Sequence, residues 1–407
     1  MRPKSFSLDQ NKILNLEEVN LEDLASSRAT PFYVYTKKEI LENCDSYANA
    51  INKKGLVCYS VKANSNLSIL NIIKDKGLGF DVVSGGELQR VLKIGADPKK
   101  IVFSGVGKTL EEINLAASQE IFSINVESHI ELNLIKKLKS KPRISFRVNP
   151  DISANSHPYI ETGKADCKFG ISEREVLQLA KENSPESINL IGISAHIGSQ
   201  IKDLKIYMEL IDKLVELAKE ISSLGHKIDH IDVGGGLAID YELEESFNPK
   251  ELVEMLTAKC EGYSLVMEPG RSLIAQTGAL ITKVIGIKEN GHQKFLIVDA
   301  GMNDLIRPSL YSARHKIENV NQIKENEDTY SIVGPVCETA DSFGENYKIS
   351  ANFGDYLVIY SCGAYGSSMG SNYNSRFRPA EILISEKIVK EIRREENFDD
   401  LISLEEV

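Results

Sequence analysis

Four short runs in the 407-residue chain carry side chains that together could do covalent chemistry on a charged small molecule. They are Tyr59-Ser60-Val61-Lys62-Ala63-Asn64, His196-Ile197-Gly198-Ser199, Asp232-Val233-Gly234-Gly235-Gly236 and Glu268-Pro269-Gly270-Arg271. Alternation over 57–62 puts Val57, Tyr59 and Val61 on one face of a strand and Cys58, Ser60 and Lys62 on the other. A lysine amine deprived of its proton by burial can condense with an aldehyde, whereas a strand-end lysine reaching solvent is the plain alternative. The glycine run lets successive backbone N–H groups approach a phosphate, or makes a tight turn. Ser199 adds a hydroxyl donor and His196 a flat ring that could stack on another. Glu268 follows the apolar Leu265-Val266-Met267 and needs a cation to offset its desolvation. That cation is either a protonated pyridine nitrogen or the nearby Arg271. A protonated ring is an electron sink, suited to the carbanion left when carbon dioxide departs.

These runs sit where a particular architecture would place them. Short apolar stretches at 32–35, 56–63, 80–84, 101–105, 121–126, 144–148, 191–197, 231–234 and 265–268 alternate with helical periodicity. Ile206, Leu210, Leu214, Leu217 and Ile221, for example, share one helix face. This rhythm predicts parallel strands with crossover helices, in the number and size of a (β/α)8 barrel; an open doubly wound sheet is the alternative. In a barrel, reactive groups gather at the C-terminal ends of the strands. The ends here carry Lys62 and Asn64, Asp81 and Ser84 with Gly85-Gly86-Glu87, Ser104, Arg147 and Asn149, His196 and Ser199, Asp232, and Glu268 with Arg271. Ser104-Gly105-Val106-Gly107-Lys108-Thr109 imitates the end of a nucleotide-binding loop, but Val102 stands where the earlier glycine is required. After about residue 277 the pattern becomes short strands and turns, which predicts a mainly antiparallel β domain. The expected organisation is an N-terminal segment 1–30 packed with that domain, a barrel over 31–276, and the β domain over 277–407.

Composition narrows the function classes. The chain has 48 basic and 59 acidic residues, a formal net charge of -11, which argues against nucleic acid or an anionic membrane as partner. No apolar run has the length of a membrane span, and the first residues lack the apolar stretch of a secretory signal. Six scattered cysteines without a C-x-x-C pair read as reduced thiols of a cytoplasmic protein, neither a disulfide framework nor a metal site.

The four runs, in their order, resemble the alanine-racemase-like class of pyridoxal-phosphate enzymes and, within it, the group-IV decarboxylases of the diaminopimelate-specific type. Further marks of the resemblance are Asn149-Pro150-Asp151, His157-Pro158-Tyr159-Ile160, Lys168-Phe169-Gly170-Ile171, Arg307-Pro308-Ser309-Leu310-Tyr311, Gly334-Pro335-Val336-Cys337-Glu338-Thr339, Gly363-Ala364-Tyr365-Gly366 and the run 373–381. Ala340 and Phe377 depart from the family pattern without removing a reactive group. The resemblance implies a carboxy-lyase that converts meso-2,6-diaminopimelate to L-lysine and carbon dioxide, the last step of lysine biosynthesis, with pyridoxal 5′-phosphate as cofactor. It implies that Lys62 holds the cofactor, that His196 stacks on its ring, and that Asp81, Arg147, Ser199, Gly236, Glu268, Pro269, Gly270, Arg271 and Tyr365 surround it. Arg271, Arg307, Tyr311, Glu338 and Tyr365 resemble substrate contacts and Cys337 the proton donor, with Lys62 as the alternative donor. In this family Cys337 and Glu338 come from the other subunit, so the resemblance implies a homodimer with shared sites. Relatives acting on arginine, ornithine or carboxynorspermidine, and a homologue that carries the cofactor without turnover, are the competing expectations.

Overall fold

The computed structural model describes residues 2–153, 163, 167–260, 262–323 and 327–406. It divides into two compact units, one of Asn43–Ala238 with Phe247–Leu273, the other of Met1–Glu42, Ile239–Ser246 and Ile274–Val407.

The first unit is a closed barrel of eight parallel strands in chain order: Gly55–Ser60, Gly79–Val82, Ile101–Phe103, Ser123–Val126, Arg143–Asn149, Asn189–Ser194, His230–Asp232 and Ser264–Met267. Closure is made where Ser264–Met267 pairs with Gly55–Ser60, Leu265 lying opposite Gly55. Helices start where short polar side chains can satisfy the first backbone N–H groups. Asn66, Ser84, Thr109, Ser128, Ser172, Asp203 and Asn248 accept such bonds, and Thr109 and Ser172 form complete capping boxes with Glu112 and Glu175. The helix Leu204–Ser223 buries Leu210, Leu214, Leu217 and Ile221, four of the five positions on the expected stripe, and leaves Ile206 half-buried.

The second unit is a mostly antiparallel sheet. Its path runs Ser342–Ile349, Asp328–Val333, Gln293–Val298, Gly278–Asn290, Phe32–Thr36, Ala380–Ser385 and Ile388–Arg393, with Tyr356–Ile359 also on Gly278–Asn290. The stretch 32–35, expected among the barrel units, is instead a central strand here, antiparallel to Gly278–Asn290 and parallel to Ala380–Ser385. All five residues of Phe32–Thr36 are buried. A strand buried on both faces shows no alternation, so its pattern cannot say which sheet it joins. A three-stranded sheet of Phe6–Leu8, Leu14–Leu16 and Val19–Asn20 belongs to the same unit, and Phe6, Leu14 and Leu16 share its core with Phe32, Ile281, Val358 and Ile382.

Candidate functional site

Lys62 lies in the single 3-10 turn Val61–Ala63 just past the first barrel strand. Its Nζ is 3.3 Å from Oδ2 of Asp81, which stands on the neighbouring strand opposite Ser60. Ser60 Oγ is 2.8 Å from Asp81 Oδ2 and 3.0 Å from the Glu268 carbonyl, and so ties the ends of three strands together. Lys62 and Ser60 both reach Asp81 Oδ2, although the strand itself stops at Ser60 and Lys62 lies in the turn beyond it.

Glu268 follows the last barrel strand and is buried. Its Oε1 accepts from Ser104 Oγ at 3.3 Å, and Asn125 Nδ2 donates to Ser104 Oγ at 3.0 Å. Burial pushes the Glu268 carboxyl well above its ordinary range, helped by the Asp232 and Asp81 carboxylates and opposed by Lys62. Burial likewise pushes Asp232 up to about 6.

The glycine run is built by close approach. Gly234 and Gly236 have φ of +68° and +104°, and a Cβ on Gly235 would lie 2.2 Å from the Glu268 carbonyl oxygen. Gly234 N–H donates to Asp232 Oδ1 at 2.9 Å and Gly235 N–H to His196 Nδ1 at 3.2 Å. The second bond makes Nδ1 an acceptor, so His196 is neutral with its proton on Nε2. Burial, then the Lys62 and Arg147 charges, hold it well below the usual imidazole value. Arg271 Nε donates to Ser199 Oγ at 3.1 Å. Arg147 Nη1 donates to Glu127 Oε1 at 2.7 Å, with the guanidinium over the Phe169 ring. Pro269 carbonyl accepts from Ser60 N–H at 3.1 Å, and Gly270 leaves room for Ser60 and Ala63.

The barrel therefore gathers Lys62, Asp81, Arg147, His196, Ser199, Gly236, Glu268, Pro269, Gly270 and Arg271 at one end of its strands. The other expected residues belong to the β unit. Arg307 opens the short helix Arg307–Tyr311 and is buried, while Tyr311 and Tyr365 are half-buried. Cys337 and Glu338 lie exposed on the segment after Asp328–Val333, where Asn374 Oδ1 accepts from Cys337 N–H at 2.8 Å. His157-Pro158-Tyr159-Ile160 lies outside the described residues. Sequence reasoning gave no role to Ser60, Asn125 or Glu127, yet Asn125 and Glu127 sit at the end of the strand Ser123–Val126, where the strand-end rule would have found them.

The donor set suits a phosphorylated aldehyde bearing a protonated ring nitrogen. Among the described residues the buried Asp81 Oδ1 has no hydrogen-bond partner, and Asp81, Asp232 and Glu268 bring three carboxyl groups to one mouth. A pyridinium N–H is the kind of group that such acceptors lack. The open backbone at Gly236, the Ser199 hydroxyl and the adjoining Arg271 guanidinium match a phosphate.

The model of the pyridoxal-dependent decarboxylase pyridoxal binding domain matches residues 37–275, more than half of the chain. The chain is 42% identical to the diaminopimelate decarboxylase of Aquifex aeolicus, covering 96% of this chain and 94% of that protein. The chain belongs to the diaminopimelate decarboxylase family. The Vibrio cholerae member is 41% identical over 99% of both proteins. The Helicobacter pylori enzyme, solved in complex with L-lysine, superposes with a TM-score of 0.90 at 41% identity, covering 95% of this chain and 99% of that one. The diaminopimelate decarboxylase from m. jannaschii, also solved with L-lysine, gives a TM-score of 0.93 at 35% identity, covering 100% of this chain and 99% of that one. A viral arginine decarboxylase at 22% identity and a TM-score of 0.80 shares the fold. Family membership makes pyridoxal 5′-phosphate the cofactor and decarboxylation the reaction class.

Proposed function

We propose that the protein removes the α-carboxyl group at one end of meso-2,6-diaminopimelate, giving L-lysine and carbon dioxide. The observation that carries this reading is the pairing of Lys62 and Asp81 beside a buried Glu268 whose carboxyl is driven up by burial. The bound cofactor supplies an electron sink for the electron pair left behind by carbon dioxide.

The residues divide the remaining work. Asp81 holds the Lys62 amine at the mouth, where Nζ would hold the cofactor through its aldehyde carbon and could move a proton. Glu268, with Asp232 behind it, keeps a proton on the ring nitrogen because a buried carboxylate strongly favours a cationic partner. His196, held neutral by Gly235 N–H, would meet the ring without adding a charge to it. Ser199, Gly236 and Arg271 would hold the phosphate, with Arg147, Pro269, Gly270 and Tyr365 as the other proposed cofactor contacts. Arg307 and Tyr311 receive the carboxylate of the non-reacting end and Glu338 its ammonium; an arginine fork suits the first and a carboxylate the second. Cys337 or Lys62 returns a proton to the carbon.

Cys337 and Glu338 are exposed on a single chain. This supports a homodimer in which each site borrows them from the partner. Among the described residues no helix is long and apolar enough to cross a membrane, and the six cysteines are free thiols, which supports a reducing, cytoplasmic setting.

The test is carbon dioxide release by the cofactor-loaded protein on meso-diaminopimelate, arginine and ornithine in parallel. Turnover of diaminopimelate alone, lost in Lys62→Ala together with the visible band of the bound cofactor, is expected. Preferential turnover of arginine or ornithine, or full turnover by Lys62→Ala, would overturn the reading.

A further inference from the structure

Arg307 has two neighbours in the β unit to which nothing so far assigns a role. Its Nη1 lies 2.7 Å from His315 Nε2, and its Cζ stands 4.0 Å from the centroid of the Tyr241 ring. A guanidinium has donors only, so Nε2 must present its lone pair. On the other side of the ring, Nδ1 is 2.7 Å from the Tyr360 carbonyl oxygen, which can only accept. The single ring proton is therefore on Nδ1, and His315 is neutral, its tautomer set from both sides.

The ring itself is held. Tyr347 OH donates to the His315 carbonyl at 2.8 Å, and Lys316 N–H donates to the Tyr241 carbonyl at 3.0 Å. Tyr241 meets His315 edge-on, with centroids 4.8 Å apart and planes at 62°. Arg307, His315 and Tyr241 are all buried. A lone-pair acceptor at one nitrogen and an aromatic face beneath the plane fix both the direction and the tilt of the guanidinium. Neither of these two neighbours carries a negative charge, so they orient the cation without themselves neutralising it.

We propose that His315 and Tyr241 are positioning residues that present the Arg307 fork to the carboxylate of the non-reacting substrate end. They thereby set the preference for a substrate with a second amino-acid end over a plain diamine or monoamine chain. The proposal rests on the reading above in which Arg307 receives that carboxylate.

The experiment uses the cofactor-loaded full chain and reads KM and kcat for meso-diaminopimelate, with the dissociation constants of L-lysine and pentane-1,5-diamine. Lysine keeps the carboxylate of the non-reacting end, and the diamine has none. His315→Asn keeps a donor near Tyr360 but cannot reach Arg307, whereas His315→Gln places an acceptor near the position of Nε2. His315→Asn is expected to raise KM and weaken lysine by about tenfold or more, the loss of a charge-assisted hydrogen bond, with kcat changed much less. The diamine and the cofactor spectrum should not change. His315→Gln should recover most of the affinity, and Tyr241→Phe should keep it where Tyr241→Leu loses about fivefold.

Equal behaviour of the Asn and Gln variants, or an undiminished lysine preference in His315→Asn, would overturn the proposal. Should the histidine variants fail to fold, the Phe and Leu pair at Tyr241 decides it by the same lysine-to-diamine ratio. If wild type shows no lysine preference, or Arg307→Gln leaves it intact, the role of Arg307 itself is wrong. That outcome is distinct from a failure confined to His315 and Tyr241.

Discussion

Glu127→Ala offers a direct test of how the barrel mouth is held. Glu127 Oε1 accepts from Arg147 Nη1 at 2.7 Å and from Gly105 N–H at 2.6 Å, and Oε2 accepts from Gly170 N–H at 3.3 Å. The side chains of Glu127 and Arg147 are only 1% and 10% exposed. Removing one member of a buried ion pair strands the other and costs about 3–5 kcal/mol. Two backbone donors lose their acceptor as well, each worth about 1–3 kcal/mol when left bare. These costs overlap, because water entering the vacated space serves all three groups, so the expected loss is about 3–5 kcal/mol rather than their sum. For a unit of this size the barrel transition of the cofactor-free protein should fall by about 6–20 °C in scanning calorimetry. Glu127→Gln keeps acceptors and volume, loses the charge and should fall roughly half as far. In Arg147→Ala, where no cation is left to strand, adding Glu127→Ala should cost markedly less. A shift under about 2 °C in Glu127→Ala, or full additivity with Arg147→Ala, would refute the reasoning.

Other outcomes follow from the same geometry. Glu268→Gln should lower kcat for decarboxylation by about 100-fold or more, the usual scale for one preorganised electrostatic contact, and turnover within about tenfold of wild type would contradict its role. Gly235→Ala, whose Cβ would sit 2.2 Å from the Glu268 carbonyl oxygen, should weaken cofactor retention in equilibrium dialysis at least tenfold, about 1.4 kcal/mol; unchanged retention would count against the cradle. His230 is buried neutral, with Nε2 2.9 Å from Ser145 Oγ, and burial depresses its pKa to about 3 from an ordinary 6.5. Between those values the unfolded chain binds the extra proton, so lowering the pH favours unfolding by up to about 1.4 kcal/mol per pH unit. Measured against His230→Gln by urea unfolding of the cofactor-free protein, wild type should lose stability as pH falls below 6.5; parallel curves would exclude this.

The strand-end rule made much of the site legible, since Asp81, Arg147, His196, Asp232 and Glu268 each follow an apolar run whose length matches a barrel strand. What it could not show has physical causes. The strand Ser342–Ile349 hides behind Gly344 and Asn346, both at positive φ, which read in sequence as a turn. Ile388–Arg393 is an exposed edge strand whose alternating charges read simply as a solvated face. Residues Ile239–Ser246 belong to the β unit although both flanking stretches belong to the barrel, and no composition shift marks that excursion. Tyr241 was silent for this reason. His315 was silent because it sits between Arg314 and Lys316, and its partner Arg307 is brought back by a reversal through left-handed Ser312, a contact no periodicity encodes.

The two ends of the substrate, as proposed, face opposite electrostatic strategies. The barrel mouth crowds the carboxyl groups of Asp81, Asp232 and Glu268 together, and burial raises the last two because their charges are costly to hold there. That cost is borne by the cofactor-free protein and is relieved when a cationic ring nitrogen enters, so part of the folding free energy becomes binding free energy for the cofactor. Arg307 is treated in reverse: two neighbours of this buried cation are a neutral imidazole and an aromatic face. The first arrangement selects a cation and the second an anion. Exchanging Glu268 for a neutral acceptor would remove the charge that favours the ring cation, and exchanging His315 for a carboxylate would set a like charge beside the substrate carboxylate that Arg307 is proposed to receive.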